Sequence, residues 1–123
     1  MGVLMRKCIF ILVGVIIPIN VFGAELLMVY ENGCSWCEVW EEEIGYTYPK
    51  TPEGKFAPLK RVEIDDILKI GKFDPEVVYT PTFLLVRNSR EIGRIEGYPG
   101  EDFFWALLNQ FLVSKTEYKE YLK

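Results

Sequence analysis

Apolar positions along this chain fall into blocks of different period, and the blocks predict the elements. Leu26-Leu27-Met28-Val29-Tyr30 is a short unbroken apolar run ended by Glu31-Asn32-Gly33, the pattern of a buried strand and its turn. From Ser35 to about Ile44, Trp36, Val39, Trp40 and Ile44 recur at helical spacing with glutamates on the other faces, and Gly45 stands where a helix stops. Residues 46–58 carry Pro49, Pro52, Gly54 and Pro58 and read as a loop. Leu59 to Ile64 alternates as a half-exposed strand does, and Asp65-Asp66 are placed to cap a short helix ending near Gly71. After a connector over 73–79, Thr82 to Val86 is the most apolar run of this part of the chain. Asn88-Ser89 supply a turn, and Glu91 to Glu96 alternates again, so an antiparallel hairpin is expected. Gly97, Pro99 and Gly100 break the pattern before Glu101–Val113, whose apolar residues, Phe103 through Leu112, mark an amphipathic closing helix. Residues 114–123 either extend that helix or fray. The order is strand, helix, strand, helix, strand, strand, helix. Its first two strands are parallel through a crossover and its last two are antiparallel, giving an α/β fold with a four-stranded mixed sheet flanked by helices.

The N-terminal block differs from all of these. Arg6-Lys7, then ten apolar residues from Cys8 to Ile17, then Pro18 and Asn20 before the small residues Gly23 and Ala24, have the layout of a secretory signal peptide cleaved after Gly23. Domain boundaries are thus expected at 1–23 for the signal peptide and 24–123 for one folded domain. The alternative, an uncleaved anchor holding the domain at the membrane, is disfavoured because a spanning helix needs about 20 apolar residues. Arg6-Lys7 directly before Cys8 does not suit a lipid-attachment site.

Within residues 24–123 the cysteines are Cys34 and Cys37, in Cys34-Ser35-Trp36-Cys37 at the expected strand-to-helix junction. An exported domain lives where thiols are oxidised, so the pair is a structural staple, a redox centre or part of a metal site. Closing so small a loop constrains the unfolded chain little, which disfavours the staple. The chain has no histidine and no second cysteine pair, so a tetrahedral zinc site would lack ligands, and no metal or other cofactor beyond a redox-active disulfide is expected. Charge adds less. The whole chain has 14 basic and 18 acidic residues, and loss of Arg6 and Lys7 leaves 12 against 18, a formal charge of −6 that makes nucleic acid a poor partner.

Cys34-Ser35-Trp36-Cys37, then Thr80-Pro81-Thr82 opening the third strand, then Gly93 and Gly97 around the fourth, resemble in order the motifs of the thioredoxin-fold family over residues 25–113. Tyr48-Pro49-Lys50-Thr51-Pro52-Glu53-Gly54, Ala57 to Val62 and Gly97-Tyr98-Pro99-Gly100 are further similar to the exported thioredoxin-like proteins of bacterial sulfur-oxidation clusters. The same loop is also consistent with a plain solvent-exposed connector. The closer resemblance implies a periplasmic reductant that receives electrons from a membrane thiol transporter and keeps a sulfur-carrier protein active.

Cys34, at the first helical turn where unpaired N–H groups favour negative charge, is the expected nucleophile, and Cys37, one turn deeper, the resolving thiol. The resemblance implies that Ser35 and Trp36 tune the potential, with Trp36 either beside the sulfur or packed on the helix face. It also implies a cis Thr80-Pro81 bond that leaves Thr80 backbone free to pair with substrate. Two departures stand out. Met28 occupies the position, six residues before the first cysteine, where many thioredoxins have a buried acid, and Gly33 stands where many have tryptophan. No substitute carboxylate is evident, and Glu38 is placed to oppose a nearby thiolate. The leading expectation is an exported protein-disulfide reductase acting on a disulfide or persulfide of an exported partner. The alternatives are a periplasmic oxidant with the same cysteines, or a non-catalytic binding module of this fold. An isomerase is disfavoured because 100 residues leave no room for an added dimerisation domain.

Overall fold

The computed structural model describes residues 11–16 and 23–123, and the expected signal peptide falls largely outside the described residues. Four strands, β1 (Glu25–Tyr30), β2 (Leu59–Glu63), β3 (Thr82–Arg87) and β4 (Arg90–Glu96), form one mixed sheet in the order β2-β1-β3-β4. β1 runs parallel to β2, with Met28 opposite Arg61, and antiparallel to β3, with Met28 opposite Phe83. β3 and β4 form the expected hairpin, turned by Asn88 and Ser89, both at positive φ as a tight hairpin turn requires. Alternation along the strands divides the core. Leu26, Met28, Phe83 and Leu85 face one layer, while Leu27, Val29, Val62 and Leu84 face the other.

The first layer is built by α1 (Ser35–Trp40), α2 (Pro52–Phe56), α4 (Glu101–Lys115) and α5 (Tyr118–Tyr121). Trp40 lies at its centre, fully buried, with Phe83 and Phe104 against its ring at 5.1 and 5.7 Å between centroids. The other layer is thinner, with Ile67 of α3 (Ile67–Ile70) and Val77 of the connector closing over Leu27 and Leu84.

Several expectations need correction. The helix after β1 does reach Gly45, but its last five residues, Glu41–Gly45, form a π-helical turn. The segment 46–58 is not a loop throughout: a 3₁₀ turn at Tyr48–Lys50 and helix α2 occupy it, because Pro49 and Pro52 sit in the first turns, where a missing N–H costs nothing. Neither Asp65 nor Asp66 caps α3 by a side-chain hydrogen bond; Asp66 instead accepts from Lys69 Nζ at 2.8 Å. Ser114 and Lys115 do extend α4, which ends at Thr116, and beyond it the tail packs instead of fraying, with Tyr118 of α5 buried against Phe56.

Candidate functional site

Gly33 makes the turn out of β1 at φ +81°, a conformation glycine adopts without penalty, and this delivers Cys34 to the mouth of α1. Cys34 is the N-cap. Its extended backbone (φ −77°, ψ 103°) leads into the helix, and its Sγ accepts the backbone N–H of Cys37 at 3.1 Å. Cys34 and Cys37 are joined in a disulfide with 5.2 Å between Cα atoms. The two sulfurs are unequally placed: Cys34 is half-buried at the surface, whereas Cys37 is only 5% exposed and belongs to the core. Ser35 is exposed, and so is Trp36 at 61%, which removes Trp36 from the packed face of the helix. The aromatic that fills that face is Trp40.

Thr80 and Pro81 come to the same end of the sheet. The Thr80–Pro81 bond is cis, and Pro81 carbonyl accepts the Gly97 N–H at 2.7 Å. Thr80 Oγ1 donates to Glu31 Oε1 at 2.9 Å, tying the approach to β3 onto the turn that carries Cys34. Glu31 escaped the sequence reading, its one signal being a polar residue beside the motif.

Behind the disulfide opens a pocket of about 530 Å³, lined among others by Met28, Tyr30, Cys37, Glu38, Glu41 and Arg61. Arg61 of β2 crosses its wall in a two-pronged ion pair, Nε to Glu41 Oε1 at 2.6 Å and Nη2 to Oε2 at 2.8 Å. Hydrogen bonding to Glu41 raises the Arg61 pKa above its ordinary value and keeps the cation charged. Neither residue was singled out from the sequence as part of the site. Among the described residues no group of three or more histidine, cysteine, aspartate and glutamate side chains is arranged to hold a metal ion.

A disulfide spanning the first turn of the helix after β1, with a cis proline before β3 on the same sheet, defines a thiol-disulfide oxidoreductase of thioredoxin fold. No family model and no curated protein matches the chain. Among solved structures it is similar to the periplasmic thioredoxin SoxS from Paracoccus pantotrophus in its reduced form. The two are 41% identical with a TM-score of 0.65, over 73% of this chain and 96% of that one. A thioredoxin from Malassezia sympodialis, 20% identical with a TM-score of 0.54 over 72% of this chain and 75% of that one, shares the fold. The chain belongs to the thioredoxin family, with SoxS as a relative.

Proposed function

We propose that this protein is an exported reductant: residues 1–23 direct it across the membrane and are removed, and residues 24–123 work in the periplasm. The observation that carries the reading is its 41% identity to a periplasmic thioredoxin, together with the disulfide at the N-terminus of α1. Among the described residues no helix is long and apolar enough to cross a membrane.

Once reduced, Cys34 attacks a sulfur of the partner's disulfide or persulfide. Its thiolate is favoured by the Cys37 N–H and by the helix N-terminus, which is where the exposed member of the pair lies. A mixed disulfide forms, Cys37 displaces the partner's sulfur, and the protein is left oxidised with its two electrons passed to the partner. Thr80, tied through Glu31 to the turn that carries Cys34, and Pro81 after it offer backbone to an extended segment, while exposed Trp36 and Ser35 meet whatever is bound. The partner is an exported protein with a reducible cysteine, a sulfur carrier being the leading case, and a membrane thiol transporter recharges the pair. No further cofactor is invoked.

The test is the reduction potential of the 24–123 chain equilibrated against glutathione. A value near about −270 mV is expected of a reductant, and one near about −120 mV overturns the direction and makes the protein an oxidant. Cys37→Ser is expected to leave partners trapped on Cys34. Full biological activity of Cys34→Ser would reduce the domain to a binding module.

A further inference from the structure

The backbone N–H and C=O of Thr80 have no backbone partner among the described residues, which leaves both open to an extended segment. What holds Thr80 in place comes from two sides. On the β4 side the Gly97 N–H holds the Pro81 carbonyl at 2.7 Å, and the Thr82 hydroxyl holds the Tyr79 carbonyl at 2.6 Å. On the β1 side one residue makes the connection. The Glu31 carbonyl accepts the Cys34 N–H at 3.3 Å, and the Glu31 carboxylate accepts the Thr80 hydroxyl at 2.9 Å. Upstream of Thr80 packing adds little: Val78 and Tyr79 are 61% and 60% exposed, and Val77, the buried residue before them, belongs to the layer on the other face of the sheet. The bond to Thr80 is itself exposed and contributes little to stability, because water serves both partners once the chain unfolds. What it fixes is geometry. Nor does the residue suit support of the nucleophile, since a carboxylate lining the same pocket as Cys34 opposes a thiolate by like charge.

We propose that Glu31 is a positioning residue: by holding Thr80 in a fixed relation to Cys34, it lines up the disulfides of polypeptide partners for attack and gives no such help to small-molecule disulfides. The inference rests on the reading that Cys34 attacks and that Thr80 offers backbone to an extended segment. A polypeptide paired on Thr80 carries its disulfide to Cys34 along a path whose two ends are both fastened to Glu31, so the approach is set before the partner arrives. The Cys34 thiolate then bonds to the nearer sulfur, and the further sulfur leaves with the electron pair and takes a proton from solvent. A small disulfide without peptide backbone meets Cys34 alone and gains nothing from the placement of Thr80. The carboxylate works here as a hydrogen-bond acceptor, and a glutamine side-chain oxygen in its place accepts the same bond. Acceptor and charge are therefore separable by substitution.

The test compares Glu31→Ala with Glu31→Gln in the reduced full chain, two variants that lack the charge equally and differ in whether an acceptor remains. Second-order rate constants are measured with insulin, whose disulfides lie within peptide backbone, and with 5,5′-dithiobis(2-nitrobenzoate), which has none. With insulin Glu31→Ala is expected to react about tenfold more slowly than Glu31→Gln, the size of one lost hydrogen bond. With the small disulfide the two variants are expected to react at the same rate. On a Thr80→Val background, which lacks the donor, the insulin gap is expected to vanish, whereas Thr80→Ser is expected to keep it. Equal insulin rates for the two Glu31 variants, the same gap with both disulfides, or a gap that persists on Thr80→Val overturns the role of Glu31 and leaves the parent reading standing. Insulin reduction that survives in Cys34→Ser, or a wild-type chain that reacts with the small disulfide and not with insulin, overturns the parent reading instead.

Discussion

Trp36 and Trp40 sit four residues apart on one helix and do opposite things. Trp40 is fully buried among Tyr48, Phe83 and Phe104, and its Nε1 has no hydrogen-bond partner among the described residues; Trp36 is largely in solvent beside the disulfide. Trp40→Ala is therefore expected to cost about 3–5 kcal/mol, the range for emptying a large aromatic site. Trp36→Ala is expected to stay within about 0.5 kcal/mol, as exposed positions do. Urea midpoints of the two oxidised variants check this, and equal midpoints would contradict it. Helical spacing put both tryptophans on one stripe, because periodicity does not say which edge of a stripe lies at the open end of the helix. The cysteine pair was legible for the opposite reason: its chemistry depends on a spacing written in three consecutive bonds of the chain. Glu31 with Thr80, and Glu41 with Arg61, were not legible, since those contacts join residues 49 and 20 positions apart and exist only after the sheet has formed.

Elements followed the same logic, with those defined by a long apolar period readable and those defined by capping not. All four strands and α4 fell close to where the pattern put them, because burial of one face imposes a period over many residues. The helical pieces within 46–58, three and five residues long, are too short to show a helical period, and the segment's prolines and glycine read as breaks. In the structure they are fittings. The Thr51 hydroxyl accepts the Gly54 N–H at 3.0 Å and donates to the Tyr48 carbonyl at 2.7 Å, while the Tyr48 hydroxyl donates to the Ala57 carbonyl at 2.7 Å. Gly54 lies so close to the preceding turn that a Cβ there would be 1.9 Å from the Tyr48 oxygen, and backbone cannot step aside as a side chain can. Gly54→Ala is expected to cost about 3 kcal/mol, the upper end for overpacking. Thr51→Ala is expected to cost about 1 kcal/mol for the lost cap. Were the segment a passive connector, both variants would unfold at the wild-type urea concentration.

On the scale of the molecule, tyrosines close the layer that carries the site. Tyr48 stacks on Trp105 and packs against Trp40, Tyr98 donates to the Glu43 carboxylate in the middle of the π turn, and Tyr118 brings the chain's last helix onto Phe56. Burial raises the pKa of each. Tyr118 is pushed up to about 12 by burial and by Glu53, and Tyr48 and Tyr98 are raised further, burial again the largest cause, with Glu53 acting on Tyr48 and Glu43 on Tyr98. In the unfolded chain all three ionise near 10.0. Between that pH and about 12 the folded protein keeps protons that the unfolded protein has lost, so the free energy of unfolding must fall as pH rises through this window. Below it both states hold the protons, and the tyrosines contribute no slope. Urea unfolding at a series of pH values is expected to give a level midpoint up to about pH 10 and a decline above it. Tyrosinate absorbance from the buried rings of Tyr48, Tyr98 and Tyr118 is expected to rise together with that decline. Tyr118→Phe removes one titrating group from the folded layer while keeping its ring, so its decline is expected to be shallower than that of the wild type. An equally steep decline would mean that the layer opens at high pH for reasons other than forcing charge into the packing around Phe56.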